Sequence, residues 1–354
     1  MKVLLLPYNV ASDISHKVRL LRSTGIDARG FSVESSNIQT TSDVKFYRIP
    51  LDGNRLTYRL KRSAVFARMW RWIAWADILH WIGDAGAFES ELNRKFLLWL
   101  RKPGVVQFIG SDVRIPEVDF AINSFYKRAF SEGYEYKEES RERSLRNQTF
   151  FADLGFVPLE FVGMGHYISR ELFPVRFRTW QSVVLSDHPP CYPQRDRRPL
   201  VVHSPSAPIA KGTKYVLQAV ERLKTNYDFD FVLVQNTERR KALEIMRDCD
   251  IYVDQLIGGG HGYAAVEAMA FGKPVVGYIN EEIGKDYPPE LPILNANPDN
   301  FEVKLETLIA DAPLRRRLGQ QSRSYVEKYH DDQKNADELV TIYREVISLH
   351  RKRS

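Results

Sequence analysis

Residues 250–278 read DIYVDQLIGGGHGYAAVEAMAFGKPVVGY, and this stretch decides the fold. Ile251, Val253 and Leu256 supply an apolar strand, and Gly258, Gly259, Gly260 and Gly262 supply a loop. Residues 263–271 have helix-forming composition. Gly272, Lys273 and Pro274 end that helix before Val275 and Val276 begin a second strand. Such a unit aims the free N–H groups and positive dipole end of a helix at a glycine-lined gap. Glycines let an anion approach the backbone closely. A nucleotide diphosphate suits the gap, and Glu267, about one turn into the helix, is placed to bind ribose hydroxyls beside it.

A second segment, HSPSAPIAKGTKYVLQAVERL at 203–223, has a similar design. A strand leads through a proline-bearing loop to Lys211, Gly212 and Thr213, which open an amphipathic helix. Lys211 is thus expected at a helix N-terminus, where an ammonium meets a phosphate that the backbone also holds. In the first half, Gly110, Ser111, Asp112, Val113 and Arg114 follow a strand expected over 105–109. Arg114 is a permanent cation, and Asp112 is able to orient it or to cap the turn. Asn9 and Ser12 follow the first strand, where Ser12 reads as a helix N-cap and Asn9 as a cleft-lining residue.

Strands and helices alternate through both halves, the pattern of mostly parallel sheets covered on both faces. The break falls at 186–199, SDHPPCYPQRDRRP, where prolines resist regular structure. The expected organisation is a Rossmann-like, acceptor-side domain over 1–185 and a proline-rich linker over 186–199. A nucleotide-sugar-binding Rossmann-like domain follows over 200–332, and a C-terminal helix over 333–354 packs back towards the first domain. Two doubly wound domains would face each other across a cleft, with ligands at the carboxyl ends of the strands.

These segments resemble glycosyltransferase family 4, the retaining group with the GT-B fold. The likeness covers nearly the whole chain and is most specific at 203–224 and 250–278. Gly262, Glu267, Ala268, Met269, Ala270, Gly272, Lys273, Pro274, Val275 and Val276 match the family wording, with His261 at its aromatic position. The resemblance implies transfer of a sugar from a UDP- or GDP-linked donor to a glycan or lipid-linked acceptor, in cell-surface polysaccharide assembly. It implies no cofactor and no bound metal for the transfer. Lys211, Gly212, Gly260, Gly262, Tyr263 and Glu267 would hold the donor, Asp112, Arg114 and His261 would serve catalysis, and Asn9 and Ser12 would face the acceptor. Three positions depart from the pattern. Gly259 stands where a first glutamate usually helps hold the sugar, Ser206 where many members carry an arginine, and Ile109 where a histidine precedes the turn.

Composition narrows the alternatives. With 44% hydrophobic and 27% charged residues in 354, the chain has ordinary globular values and room for two domains. The opening MKVLLLPYNV is broken by Pro7 and reads as a first buried strand rather than a signal peptide. Two cysteines make no disulfide framework, so a reducing cytoplasm is the expected location, with a peripheral place at the inner face of the cell membrane. A net charge of +6 without zinc-finger spacing or an aromatic RNA-binding stripe argues against nucleic acid. Residues 58–75, YRLKRSAVFARMWRWIAW, interleave arginines with tryptophans and suit either an anionic membrane surface or packing on the first domain. Two rival functions stay open. One is a non-catalytic relative acting as a binding or scaffold subunit. The other is an NAD-dependent oxidoreductase, because residues 260–265 also fit G-x-G-x-x-A with Glu281 about 20 residues on.

Overall fold

The computed structural model describes residues 1–9, 13–33, 43–48, 55–194 and 198–353, so Ser12 lies outside the described residues. Two all-parallel sheets organise the chain. The first contains β1 (Lys2–Pro7), β2 (Asp27–Ser32), β3 (Val44–Phe46), β4 (Ile78–Ile82), β5 (Gly104–Gln107), β6 (Val157–Phe161) and β7 (Phe177–Thr179). Its spatial order is β3-β2-β1-β4-β5-β6-β7. The second contains β8 (Leu200–His203), β9 (Asp230–Leu233), β10 (Ile251–Val253), β11 (Val275–Gly277) and β12 (Leu294–Asn295), ordered β12-β11-β10-β8-β9. Strands buried on both faces read as continuous apolar runs, and Val3, Leu4, Leu5 and Leu6 are all fully buried.

The first sheet is covered by α1 (Asp13–Ser23), α2 (Arg55–Trp75), α3 (Glu91–Leu100), α4 (Pro116–Ile122), α5 (Ser124–Ser131) and α6 (Arg141–Asp153). The second carries α7 (Pro208–Lys211), α8 (Thr213–Leu223), α9 (Arg239–Asp248), α10 (Tyr263–Ala270), α11 (Glu281–Gly284), α12 (Phe301–Ala310) and α13 (Ala312–Tyr329). The last helix, α14 (Asp332–Arg353), belongs physically to the first sheet. Its Leu339, Val340, Ile342, Tyr343 and Val346 share one buried cluster with Val3, Leu5 and Ile14. The Tyr343 hydroxyl also lies 2.6 Å from Nδ1 of buried His80.

The chain crosses between the sheets twice, side by side. Val183 N–H donates to the His330 carbonyl at 2.9 Å, and Asp332 N–H donates back to the Val183 carbonyl at 3.3 Å. In each sheet the strand order reverses once, between β1 and β4 and between β8 and β10. Loops leaving adjacent strands in opposite directions open a crevice there, so these two points are where ligands are expected.

Candidate functional site

The loops following β8 and β10 flank the crevice of the second sheet, and they are the two segments singled out in the sequence. Lys211 is the last residue of the short α7, separated from α8 by Gly212, and not the first residue of a helix. The reason is Gly212, whose φ of 75° breaks the helical path. A Cβ on Gly212 would lie 3.1 Å from Leu256 Cβ, so the two loops touch here and only glycine fits comfortably. Lys211 Nζ donates to Gln255 Oε1 at 3.0 Å. Gln255 Nε2 in turn donates to the Gly260 carbonyl, tying the lysine to the glycine loop.

Gly262 precedes α10 and meets both loops. Its N–H donates to Asp254 Oδ2 at 2.8 Å, and a Cβ placed on it would lie 3.4 Å from Lys211 Nζ. Asp254, directly after β10, is buried and was not singled out by sequence. Burial pushes the Lys211 ammonium below its ordinary range, against the opposing pull of the Asp254 carboxylate. A helix N-terminus, a lysine and an adjacent carboxylate therefore converge at one point.

Gly259 explains its own departure from the family wording. Its φ is 79°, and a Cβ there would sit 2.8 Å from Asn280 Cβ, so a glutamate has no room and an unfavourable backbone. The glycine loop is instead pinned from outside. Asn280 N–H donates to the Gly259 carbonyl at 2.8 Å. Asn123, from the first domain, donates to the Ile257 carbonyl at 2.7 Å, and Asn280 Nδ2 returns the contact to the Ile122 carbonyl at 2.8 Å. Glu135, also from the first domain, accepts from the N–H groups of Ile209 and Ala210 at 2.7 and 2.9 Å. The two domains thus meet directly over the crevice.

His261 stands between Gly260 and Gly262, its ring 4.8 Å from that of Tyr287 and 5.8 Å from that of His330. Both ring nitrogens are buried with no hydrogen-bond partner among the described residues. Burial lowers its pKa, so the imidazole is a neutral hydrogen-bonding group beside the loop. The Tyr263 hydroxyl is engaged, donating to the Ser182 carbonyl at 2.7 Å. Glu267 is almost completely buried, one of its oxygens held by Arg239 from the start of α9. This arginine, 28 residues away, had no signal in the sequence.

On the first domain the carboxylates serve structure. Asp112 caps its own turn, accepting from Ile109 N–H at 3.0 Å and Gly110 N–H at 2.8 Å. Burial raises its pKa to about 6, against these hydrogen bonds. Arg114 pairs at 2.5 Å with Glu139, whose side chain is fully buried. Burial opposes the charge on Arg114, but the Glu139 carboxylate outweighs it and holds the guanidinium well above its ordinary range. Asn9 accepts from Ser15 N–H at 3.2 Å and so braces the first turn of α1.

Comparison with solved structures establishes the class of fold. Sucrose-phosphate synthase (tll1590) from Thermosynechococcus elongatus superposes with a TM-score of 0.66 at 13% identity, covering 99% of this chain and 100% of that one. An alpha-glucosyltransferase, solved with UDP-glucose and DNA containing an abasic site, gives 0.65 at 11% identity, covering 97% and 99%. WaaG, a glycosyltransferase involved in lipopolysaccharide biosynthesis, gives 0.57 at 13% identity, covering 95% and 99%. No protein-family model and no curated protein matches the chain. The protein has the GT-B fold, with two parallel α/β domains meeting at a cleft.

Proposed function

We propose that the protein is a retaining glycosyltransferase that moves a sugar from a nucleotide-sugar donor to a glycan or lipid-linked acceptor in cell-surface polysaccharide assembly. The observation that carries this reading is the convergence of Lys211 and the N-terminal end of α10 at Gly262, on the switch point of the second sheet. Neighbours of the same fold support a uridine donor, since HepE is solved with UDP-glucose and the alpha-glucosyltransferase with UDP-glucose. Retention of configuration and independence from metal rest on the family 4 resemblance. The cytoplasm suits the two free cysteines, and no described helix is long and apolar enough to cross a membrane.

In this reading the diphosphate lies against Lys211 and the α10 N-terminus, which offset the charge that builds on the leaving nucleoside diphosphate as the glycosidic bond breaks. Asp254 competes with phosphate for Gly262 N–H, so donor binding displaces it. Glu267, braced by Arg239, accepts from the ribose hydroxyls. Neutral His261 donates to the sugar in place of the missing glutamate. Asp112 and Arg114 hold the facing wall in shape, and the bonds between domains keep competing water out. The tight packing of the loop, with Gly258 against Gln255, Gly259 against Asn280 and Gly260 against Tyr287, disfavours a dinucleotide and so the oxidoreductase reading. Thermal melting with UDP, GDP and NAD, followed by a donor and acceptor screen, tests the proposal. Stabilisation by a diphosphate with turnover of its sugar is expected. Diphosphate binding without turnover would replace it with a non-catalytic relative, and stabilisation by NAD alone would reject it.

A further inference from the structure

In the basic, aromatic segment at 58–75 the aromatics from Phe66 to Trp75 pack onto the first domain. In α2, Phe66, Met69 and Ile73 are buried in the first domain's core, and Trp70, Trp72 and Trp75 pack against it. Arg29 stacks on the Trp75 ring at 4.0 Å. The exposed apolar surface lies instead on α3, its neighbour. Leu92, Phe96 and Trp99, at 77%, 36% and 72% exposure, follow the i, i+4, i+7 spacing of a single helical stripe. Phe96 stacks on Trp99 with centroids 5.4 Å apart and meets Trp70 edge-on at 4.4 Å, so an aromatic ridge runs from the core into solvent.

Cations outnumber acids around this ridge, with Lys95 paired to Glu91 and Arg94 to Asp153. The 21 residues of α2 include six arginines and lysines and no acid, with Lys61, Arg68 and Arg71 exposed. From 91 to 102 there are four cations against Glu91 alone. At the C-terminal foot of α3 a groove of about 740 Å³ is lined by Arg101, Lys102, Arg344 and Arg351, with Asp77 as its one carboxylate. That acid already accepts from Lys2 N–H at 2.7 Å. A protein core would not need this ring of cations, and a nucleic acid would not need the leucine. An interface that is apolar within and anionic at its surface needs both.

We infer that α3 and the groove at its foot form a peripheral docking surface for an anionic lipid bilayer, with Leu92 and Trp99 entering the headgroup region and the exposed Arg101, Arg344 and Arg351 meeting lipid phosphates. The inference stands apart from the transferase reading, because binding is measured without turnover. Sedimentation of the full chain with phosphatidylcholine vesicles, with and without phosphatidylglycerol, tests it at low and high salt. Binding is expected only with the anionic lipid. It should fall about tenfold or more at 1 M salt, where screening shortens to about 3 Å. Leu92→Ser with Trp99→Ser is expected to weaken binding at low salt, and Arg101→Gln with Arg351→Gln to weaken it and flatten the salt dependence. Both pairs are exposed or at the surface, and unchanged thermal melting confirms that the variants fold. Absence of low-salt binding would overturn the inference, as would equal binding to neutral vesicles. So would a dimer in solution that Leu92→Ser abolishes, or competitive displacement of the protein by duplex DNA with no effect of Trp99→Ser.

Discussion

Lys211 and Arg114 are both cations at the carboxyl end of a strand, on opposite walls of one cleft, yet they live in different electrostatic settings. Arg114 has a dedicated counter-ion, Glu139, fully buried and 2.5 Å away, which itself accepts from the Tyr126 hydroxyl at 2.7 Å. Lys211 has a neutral amide at 3.0 Å and shares its neighbourhood with Asp254, which is engaged with Gly262 N–H. A cation whose charge is already matched by a buried carboxylate stabilises the fold, and removing either partner leaves an uncompensated charge. A lysine that burial pushes towards its neutral form gains most from an arriving anion. On the proposed function, the difference separates a structural wall from a binding wall.

The sharpest way to break this contrast is on the structural side. Glu139→Ala should cost about 3–5 kcal/mol in chemical denaturation, because it strands the Arg114 guanidinium and the Tyr126 hydroxyl. A loss below about 1 kcal/mol would mean that Arg114 finds solvent easily and belongs with the ligand-binding groups.

On the binding side, Gly259→Glu should restore the family wording without restoring a sugar contact. A left-handed backbone and the Asn280 approach predict a loss of about 1–3 kcal/mol of stability and lower donor affinity. Gly259→Ala, with the same backbone and a smaller side chain, should show most of the stability loss. A stable Gly259→Glu protein with improved turnover would contradict the packing described here.

A further effect, confined to acidic pH, concerns the Asp112 cap. Its pKa is raised from 3.8 to about 6 in the folded chain, so between those values the native state holds more protons than the unfolded one. This group therefore makes stability fall as pH rises through about 4 to 6. Asp112→Asn keeps an acceptor for the N–H groups of Ile109 and Gly110 and removes that slope. Subtracting the two proteins' stabilities across pH isolates it from His80 and His330, whose pKa values near 3 act in the opposite direction by losing stability as pH falls below 6.5. Superimposable pH profiles would place Asp112 in contact with solvent.

How much of this was legible in the sequence follows from the range of the interactions. The alternation of strands and helices, the glycine loop and the Lys211 turn are local patterns, and the structure has them within a residue or two. Strands β6, β7 and β12 were not read. Pro158 sits inside β6 and suppresses a strand reading, and β7 and β12 are three and two residues long. The counter-ions were also hidden. Glu139 reaches Arg114 across 25 residues and Glu135 reaches Ile209 across 74, inside a charged stretch that reads as solvated surface. Gly259 was visible as a departure, but its cause, Asn280, lies across a strand, a helix and another loop. The sequence leaves residues 58–75 open between an anionic membrane surface and packing on the first domain, and only the tertiary structure shows Phe66, Met69 and Ile73 buried in that domain's core.

The most direct test of the binding wall is calorimetric titration of UDP into the wild-type protein and into Lys211→Ala, at equal pH and ionic strength. The variant is expected to melt within a few degrees of wild type and to bind UDP about 10- to 100-fold more weakly, the value of a hydrogen bond to a charged partner. Equal affinities in two folded proteins would contradict it and leave Lys211 as a structural lysine beside Gln255.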